Sequence, residues 1–147
     1  MKKNLLLITM LALFAFSCSN QAQTSKKEAE KTTTVASNTE DASITKVYYF
    51  HGKQRCRTCI AVQNLVEKTI AETYADNDKV QFVEINTSNK EFADLVEKYE
   101  VSWNALIIAK GDKSIDLTEQ AFALAQTAPE ELIDLIKQEV NNKQTNK

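Results

Sequence analysis

His51-Gly52-Lys53-Gln54-Arg55-Cys56-Arg57-Thr58-Cys59 sets two cysteines three residues apart. Residues 46–51 before it, Lys-Val-Tyr-Tyr-Phe-His, are β-branched and aromatic and apolar on both faces, which suits a strand buried centrally in a sheet. After the break at Gly52, residues 58–74 carry Ile60, Val62, Leu65, Val66, Ile70 and Tyr74 near helical spacing. The cysteines therefore stand at a strand-to-helix turn.

Further along, Asp76-Asn77-Asp78 makes a turn and residues 80–85 read as a second strand. Ser88 or Asn89 can cap a helix running through Phe92, Leu95, Val96 and Tyr99. Residues 105–110 and 114–117 flank Gly111-Asp112 as a hairpin. Thr127-Ala128-Pro129-Glu130 has the pattern of a capping box with proline in the first turn, opening a helix along Leu132, Ile133, Leu135, Ile136 and Val140. The expectation is an α/β domain of order β-α-β-α-β-β-α. Helix crossovers pair the early strands in parallel and the hairpin adds an antiparallel edge, giving a mixed central sheet with helices on both faces.

The chain has 147 residues, 43% hydrophobic, with 2 glycines and 1 proline, which suits one compact domain plus an unfolded segment. A net charge of −2 leaves no polybasic footprint, so nucleic acid is not an expected partner. From Ile44 onward there are 13 Lys and Arg against 16 Asp and Glu, yet Lys53, Arg55 and Arg57 cluster at the thiols. There is no internal repeat.

The N-terminus reads as an export signal. Lys2 and Lys3 form the charged start, and residues 5–16 form an apolar run short for a membrane span. Ala15-Phe16-Ser17-Cys18 resembles the lipobox of bacterial lipoproteins, which implies a lipidated Cys18 ending a signal peptide at 1–18. Acyl chains anchor without spanning, at about 0.8 kcal/mol of membrane affinity per buried methylene. The odd third cysteine is then accounted for, leaving Cys56 and Cys59 to each other. Residues 19–43 are Ser, Thr, Asn, Gln, Lys, Glu and Ala with almost nothing to bury, and read as a disordered tether. The folded domain is expected over 44–141, followed by a disordered tail at 142–147. The expected location is the cell envelope, lipid-anchored, facing the periplasm or at the cell surface, with the protein a monomer.

A cysteine at a helix start meets unsatisfied backbone N–H groups and the positive end of the helix dipole, both of which favour thiolate over thiol. Arg55 and Arg57 add charge that tunes the pair in the same direction. Cys56 is then the attacking thiolate. Cys59, one helical turn on, resolves the mixed disulfide. Two other uses stay open: a static disulfide, although so small a loop restrains the unfolded chain little, and a soft metal or metalloid site for copper, zinc or arsenic built from Cys56, Cys59 and the single histidine, His51.

The Cys56-Arg57-Thr58-Cys59 turn after strand 46–51, in this element order, resembles the thioredoxin-like fold over residues 44–140. More narrowly, Tyr48-Tyr49-Phe50-His51-Gly52 followed by Arg55-Cys56-x-x-Cys59 is similar to the small proteins called the nitrophenyl compound nitroreductase subunit ArsF family. No flavin or nicotinamide motif accompanies it, so the resemblance implies thiol–disulfide exchange without a cofactor, with protein thiols or disulfides of the cell envelope as partners. Three departures from the thioredoxin pattern stand out. Arg57 and Thr58 replace Gly-Pro, Phe50 stands where a buried aspartate manages the second cysteine's proton, and the loop Val101-Ser102-Trp103-Asn104-Ala105 lacks the cis-proline, with Asn104 or Ala105 nearest that place.

Glu84 is aligned with a lysine that thioredoxins keep near the pair. Strand alternation puts it on the face of Val80 and Phe82, half-buried beneath the cysteines, where loss of water favours a protonated carboxyl and lets it take the Cys59 proton. Trp103 is read either as an apolar lip over Cys56 or as half-buried packing, in a substrate-facing loop with Asn104 and Ala105. Tyr48 and Tyr49 are expected on opposite sheet faces as core.

Overall fold

The computed structural model describes residues 41–145. Cys18, the expected signal segment and the expected tether as far as residue 40 lie outside them. The chain enters through a turn in which Asp41 accepts from the Ser43 and Ile44 N–H groups. It then forms β1 (Thr45–His51), α1 (Arg57–Thr73), β2 (Val80–Asn86), a 3₁₀ turn (Lys90–Phe92) continuing into α2 (Ala93–Lys98), β3 (Ala105–Lys110), β4 (Lys113–Asp116), α3 (Thr118–Leu124) and α4 (Pro129–Thr145). Among these residues no helix is long and apolar enough to cross a membrane.

The four strands form one mixed sheet in the order β2-β1-β3-β4. β1 is central, as its two apolar faces require. It pairs in parallel with β2 from Thr45–Val80 to His51–Asn86 and antiparallel with β3, where Phe50 faces Ala105. The antiparallel part thus begins with the β1–β3 pair, and the β3–β4 hairpin extends it. That hairpin closes on Gly111-Asp112 between Lys110 and Lys113, with Gly111 at φ 55° in the left-handed region that favours glycine.

Alternation along β1 divides the core. Val47 and Tyr49 face Val62, Val66 and Ile70 of α1, Ala121 of α3 and Leu132, Ile136 and Val140 of α4. Tyr48 and Phe50 face the opposite layer, where Leu95 and Val96 of α2 pack with Tyr99. The tyrosines therefore part to opposite faces, and helices cover both sides of the sheet. Each fully buried large apolar side chain contributes about 1.5–3 kcal/mol.

Three expectations need correction. α3 follows the hairpin where no element was read. Its apolar stripe of Leu117, Ala121, Leu124 and Ala125 has helical spacing but consists half of alanine, which gives periodicity little contrast. The Thr127 hydroxyl donates to the Ala123 carbonyl, closing α3, while the Glu131 and Leu132 N–H groups are met by the Ala128 carbonyl; Thr127 thus ends one helix instead of forming a capping box for the next. Finally, the expected tail at 142–147 is helical as far as Thr145, held by Gln144, whose side-chain oxygen accepts from Asn77 and whose carbonyl accepts from Lys110 Nζ.

Candidate functional site

Cys56 is the N-cap of α1. Its backbone is extended (φ −78°, ψ 161°) and its sulfur accepts the Cys59 N–H at 2.9 Å, satisfying one of the helix's free donors. Cys56 and Cys59 are joined in a disulfide, with Cα atoms 5.0 Å apart. The two cysteines differ in access: Cys56 is exposed, whereas Cys59 is 2% exposed. A nucleophile from solvent therefore meets Cys56 first. The first turn of α1 holds no acidic residue, so nothing there offsets the positive helix end that favours a thiolate.

Sheet register brings the other side chains to this end. Because β3 runs antiparallel to β1 and starts opposite Phe50, the loop at 101–104 comes back beside the His51–Cys59 turn. Asn104 Nδ2 lies 3.8 Å from Cys59 Sγ as a donor, and its Oδ1 is buried without a partner. Ala105 is buried at the start of β3. Trp103, next to Asn104, is 65% exposed, so the half-buried alternative for it does not hold. All peptide bonds described are trans, the one before Asn104 included.

Glu84 lies opposite Tyr49 on the α1 face, as alternation predicts. The half-burial expected of it is not found. Its side chain is 44% exposed, and its carboxylate faces His51 Nε2 at 2.8 Å and Arg55 at 3.5 Å. Being at the end of an edge strand, it keeps water and cationic company, and the loss of solvation that was to make it a base for Cys59 is missing. His51 is buried, with Nδ1 2.9 Å from the Gly52 carbonyl and Nε2 on Glu84. Both ring nitrogens are thus engaged, so the ligand set Cys56, Cys59 and His51 is not assembled. No three His, Cys, Asp or Glu side chains converge as a metal site among the described residues.

Arg55 turns inward, hydrogen-bonded to Gln63 and lying 6.0 Å from the Tyr49 ring centroid, whereas Arg57 is exposed. Of the two arginines, Arg57 is the one open to solvent beside Cys56. Tyr49, read from the sequence only as core, and Gln63, not singled out there, also belong to this site. The Tyr49 hydroxyl donates to the Cys59 carbonyl at 2.7 Å from a fully buried ring. Burial pushes its phenol above the ordinary value, and Arg55 beside it opposes that shift. Gln63 announces itself only as a polar residue within the buried stripe beside Val62 and Val66.

A hollow of about 990 Å³ lies at the other end of the sheet among Ser43, Lys79, Lys110 and Lys143. Of the pair, Cys56 faces the surface and Cys59 does not.

No protein-family model matches the chain, and no curated protein matches it. Among solved structures, one described as the structure of a malarial protein is similar to it with a TM-score of 0.43 and 21% identity, covering 65% of this chain and 96% of that one. What stands at the site is a disulfide-bonded Cys56–Cys59 pair, in the spacing of a redox motif, at the start of a helix packed on a mixed sheet.

Proposed function

We propose that the domain is thioredoxin-like and exchanges thiols and disulfides with other proteins, carried by a lipid anchor at Cys18 in the cell envelope. The observation that carries this reading is the unequal access of the bonded cysteines, Cys56 open and Cys59 closed, at the first turn of α1.

In the reducing direction, the Cys56 thiolate attacks one sulfur of a substrate disulfide. That bond breaks, a mixed disulfide forms, and the other substrate sulfur leaves and takes up a proton. Cys59, losing its proton, attacks Cys56 Sγ; the mixed disulfide breaks and the second substrate thiol departs. Two electrons have passed to the substrate, and Cys56–Cys59 is left as a disulfide. The steps run backwards when a substrate dithiol is oxidised, and a second thiol couple restores the starting state in either case.

The test is to equilibrate the full chain in glutathione buffers and count free thiols at Cys56 and Cys59 by alkylation and mass. Both thiols appear and vanish together as the buffer is shifted if the reading is right. A pair that stays oxidised under every buffer is a static disulfide, and the reading fails.

A further inference from the structure

The charge around Cys56 departs from the rest of the chain. Residues 42–66 contain four cations, Lys46, Lys53, Arg55 and Arg57, and no Asp or Glu, whereas residues 67–147 contain nine cations and sixteen acids. Three of those four cations fall within five residues of sequence at the disulfide. Arg55 is turned to Gln63 and Glu84. Lys53 and Arg57 are exposed, and neither belongs to an ion pair among the described residues. The Glu84 carboxylate, which reaches this end of the sheet, is already engaged by His51 and Arg55. An exposed cysteine thus lies in sequence between two cations that form no ion pair among the described residues, with no carboxylate beside it in sequence.

The same spot carries the exposed apolar surface of the domain. Ile60 and Trp103 are the exposed large hydrophobic side chains of the described residues. Ile60 donates its N–H to the Cys56 carbonyl, so it stands one helical turn beyond Cys56 on the same face. Trp103 precedes Asn104, whose amide reaches Cys59 Sγ. Both apolar groups lie open where a water-facing loop and helix have no structural need of them.

We infer that the substrate is a polypeptide segment whose reacting cysteine is flanked by acidic side chains, which meet Lys53 and Arg57, and by an apolar side chain, which rests on Trp103 and Ile60. This rests on the exchange reading above and adds the class of substrate to it. The argument is charge complementarity: an acidic segment gains at both free cations, and a basic one meets them without relief. Because these charges are exposed, the gain is screened by salt.

The experiment uses the full chain, reduced, and three disulfides: hydroxyethyl disulfide and two peptide disulfide dimers that differ only in whether acidic or basic residues flank the cysteine. Each reaction releases two substrate thiols and leaves Cys56–Cys59 oxidised. At low ionic strength the second-order rate constant for the acidic dimer is expected to exceed that for the basic dimer by about tenfold or more, a ratio that collapses in high salt. Lys53→Glu and Arg57→Glu each lower the ratio, whereas Lys68→Glu, further along α1, leaves it unchanged. Trp103→Ser lowers the second-order rate constant for both dimers relative to hydroxyethyl disulfide. If hydroxyethyl disulfide reacts but the two dimers agree within about twofold, the charge inference is overturned and exchange stands. If the ratio survives both charge reversals, Lys53 and Arg57 are not its source and the inference fails. Failure of all three disulfides to react overturns the exchange reading itself.

Discussion

The side-chain amide of Asn104 stands 3.8 Å from Cys59 Sγ, donating toward the buried sulfur of the pair, while the carboxylate of Glu84 is spent on His51 and Arg55. An amide can serve this sulfur in both of its reduced forms, since N–H stabilises a thiolate and the carbonyl accepts from a thiol. Asn104 Oδ1 is buried and unpartnered in the disulfide state, which leaves it free for the second task.

Replacing Asn104 by Leu therefore slows release of a mixed disulfide by Cys59 about fivefold, the value of one hydrogen bond of about 1 kcal/mol. Glu84→Gln changes that rate by less than about twofold across pH. Quenching the mixed disulfide with acid at timed intervals measures both. A large effect of Glu84→Gln with none from Asn104→Leu would reverse the assignment.

Cys56 caps α1 through its sulfur, so the two variants that delete the disulfide at this position differ in stability. Cys56→Ser keeps an acceptor for the Cys59 N–H, and Cys56→Ala does not. The serine form is expected to be more stable by about 0.5–1 kcal/mol in urea unfolding. Equal midpoints would mean that the cap contributes nothing.

Tyr49 makes stability depend on alkaline pH. Its buried phenol holds its proton above the ordinary value of 10.0, so the unfolded chain loses the proton first as pH rises. The stability contributed by the neutral phenol is complete below about pH 10 and declines above it. Tyr49→Phe flattens this decline, though not fully, because burial raises Tyr74 as well. At neutral pH the same variant loses about 1 kcal/mol with the hydrogen bond to the Cys59 carbonyl. Denaturant midpoints across pH test both parts.

Glu100 ends α2 in the left-handed region at φ 51°, where its N–H reaches the Glu97 carbonyl and that of Val101 the Val96 carbonyl. Glycine is the residue that takes this place without strain. Glu100→Gly is expected to stabilise the domain by about 0.5–1 kcal/mol, the relieved strain exceeding the entropy cost of glycine. Thermal unfolding checks the sign.

Periodicity carried much of the fold. Tyr48 and Tyr49 alternate across the central strand as read, and β3 spans the residues expected of it. α3 escaped because alanines blur its stripe and Asp116, not a residue at the helix's own N-cap, meets Thr118. At the site, spacing placed Cys56 and Cys59 correctly, since the cysteine positions are local to one turn. Register likewise put Glu84 on the right face. Its exposure was out of reach, because that depends on β2 being an edge strand, which sequence order does not determine. The Tyr49 and Asn104 contacts have the same origin: they join residues 10 and 45 apart, and only the completed sheet brings them together.

β1 begins at Thr45 and delivers the chain to His51, just before the cysteines. Seven residues of strand at about 3.3 Å each set some 20 Å between where the chain enters the sheet and the redox turn. A partner that engages Cys56 therefore meets the end of the sheet opposite the one at which the described chain enters it.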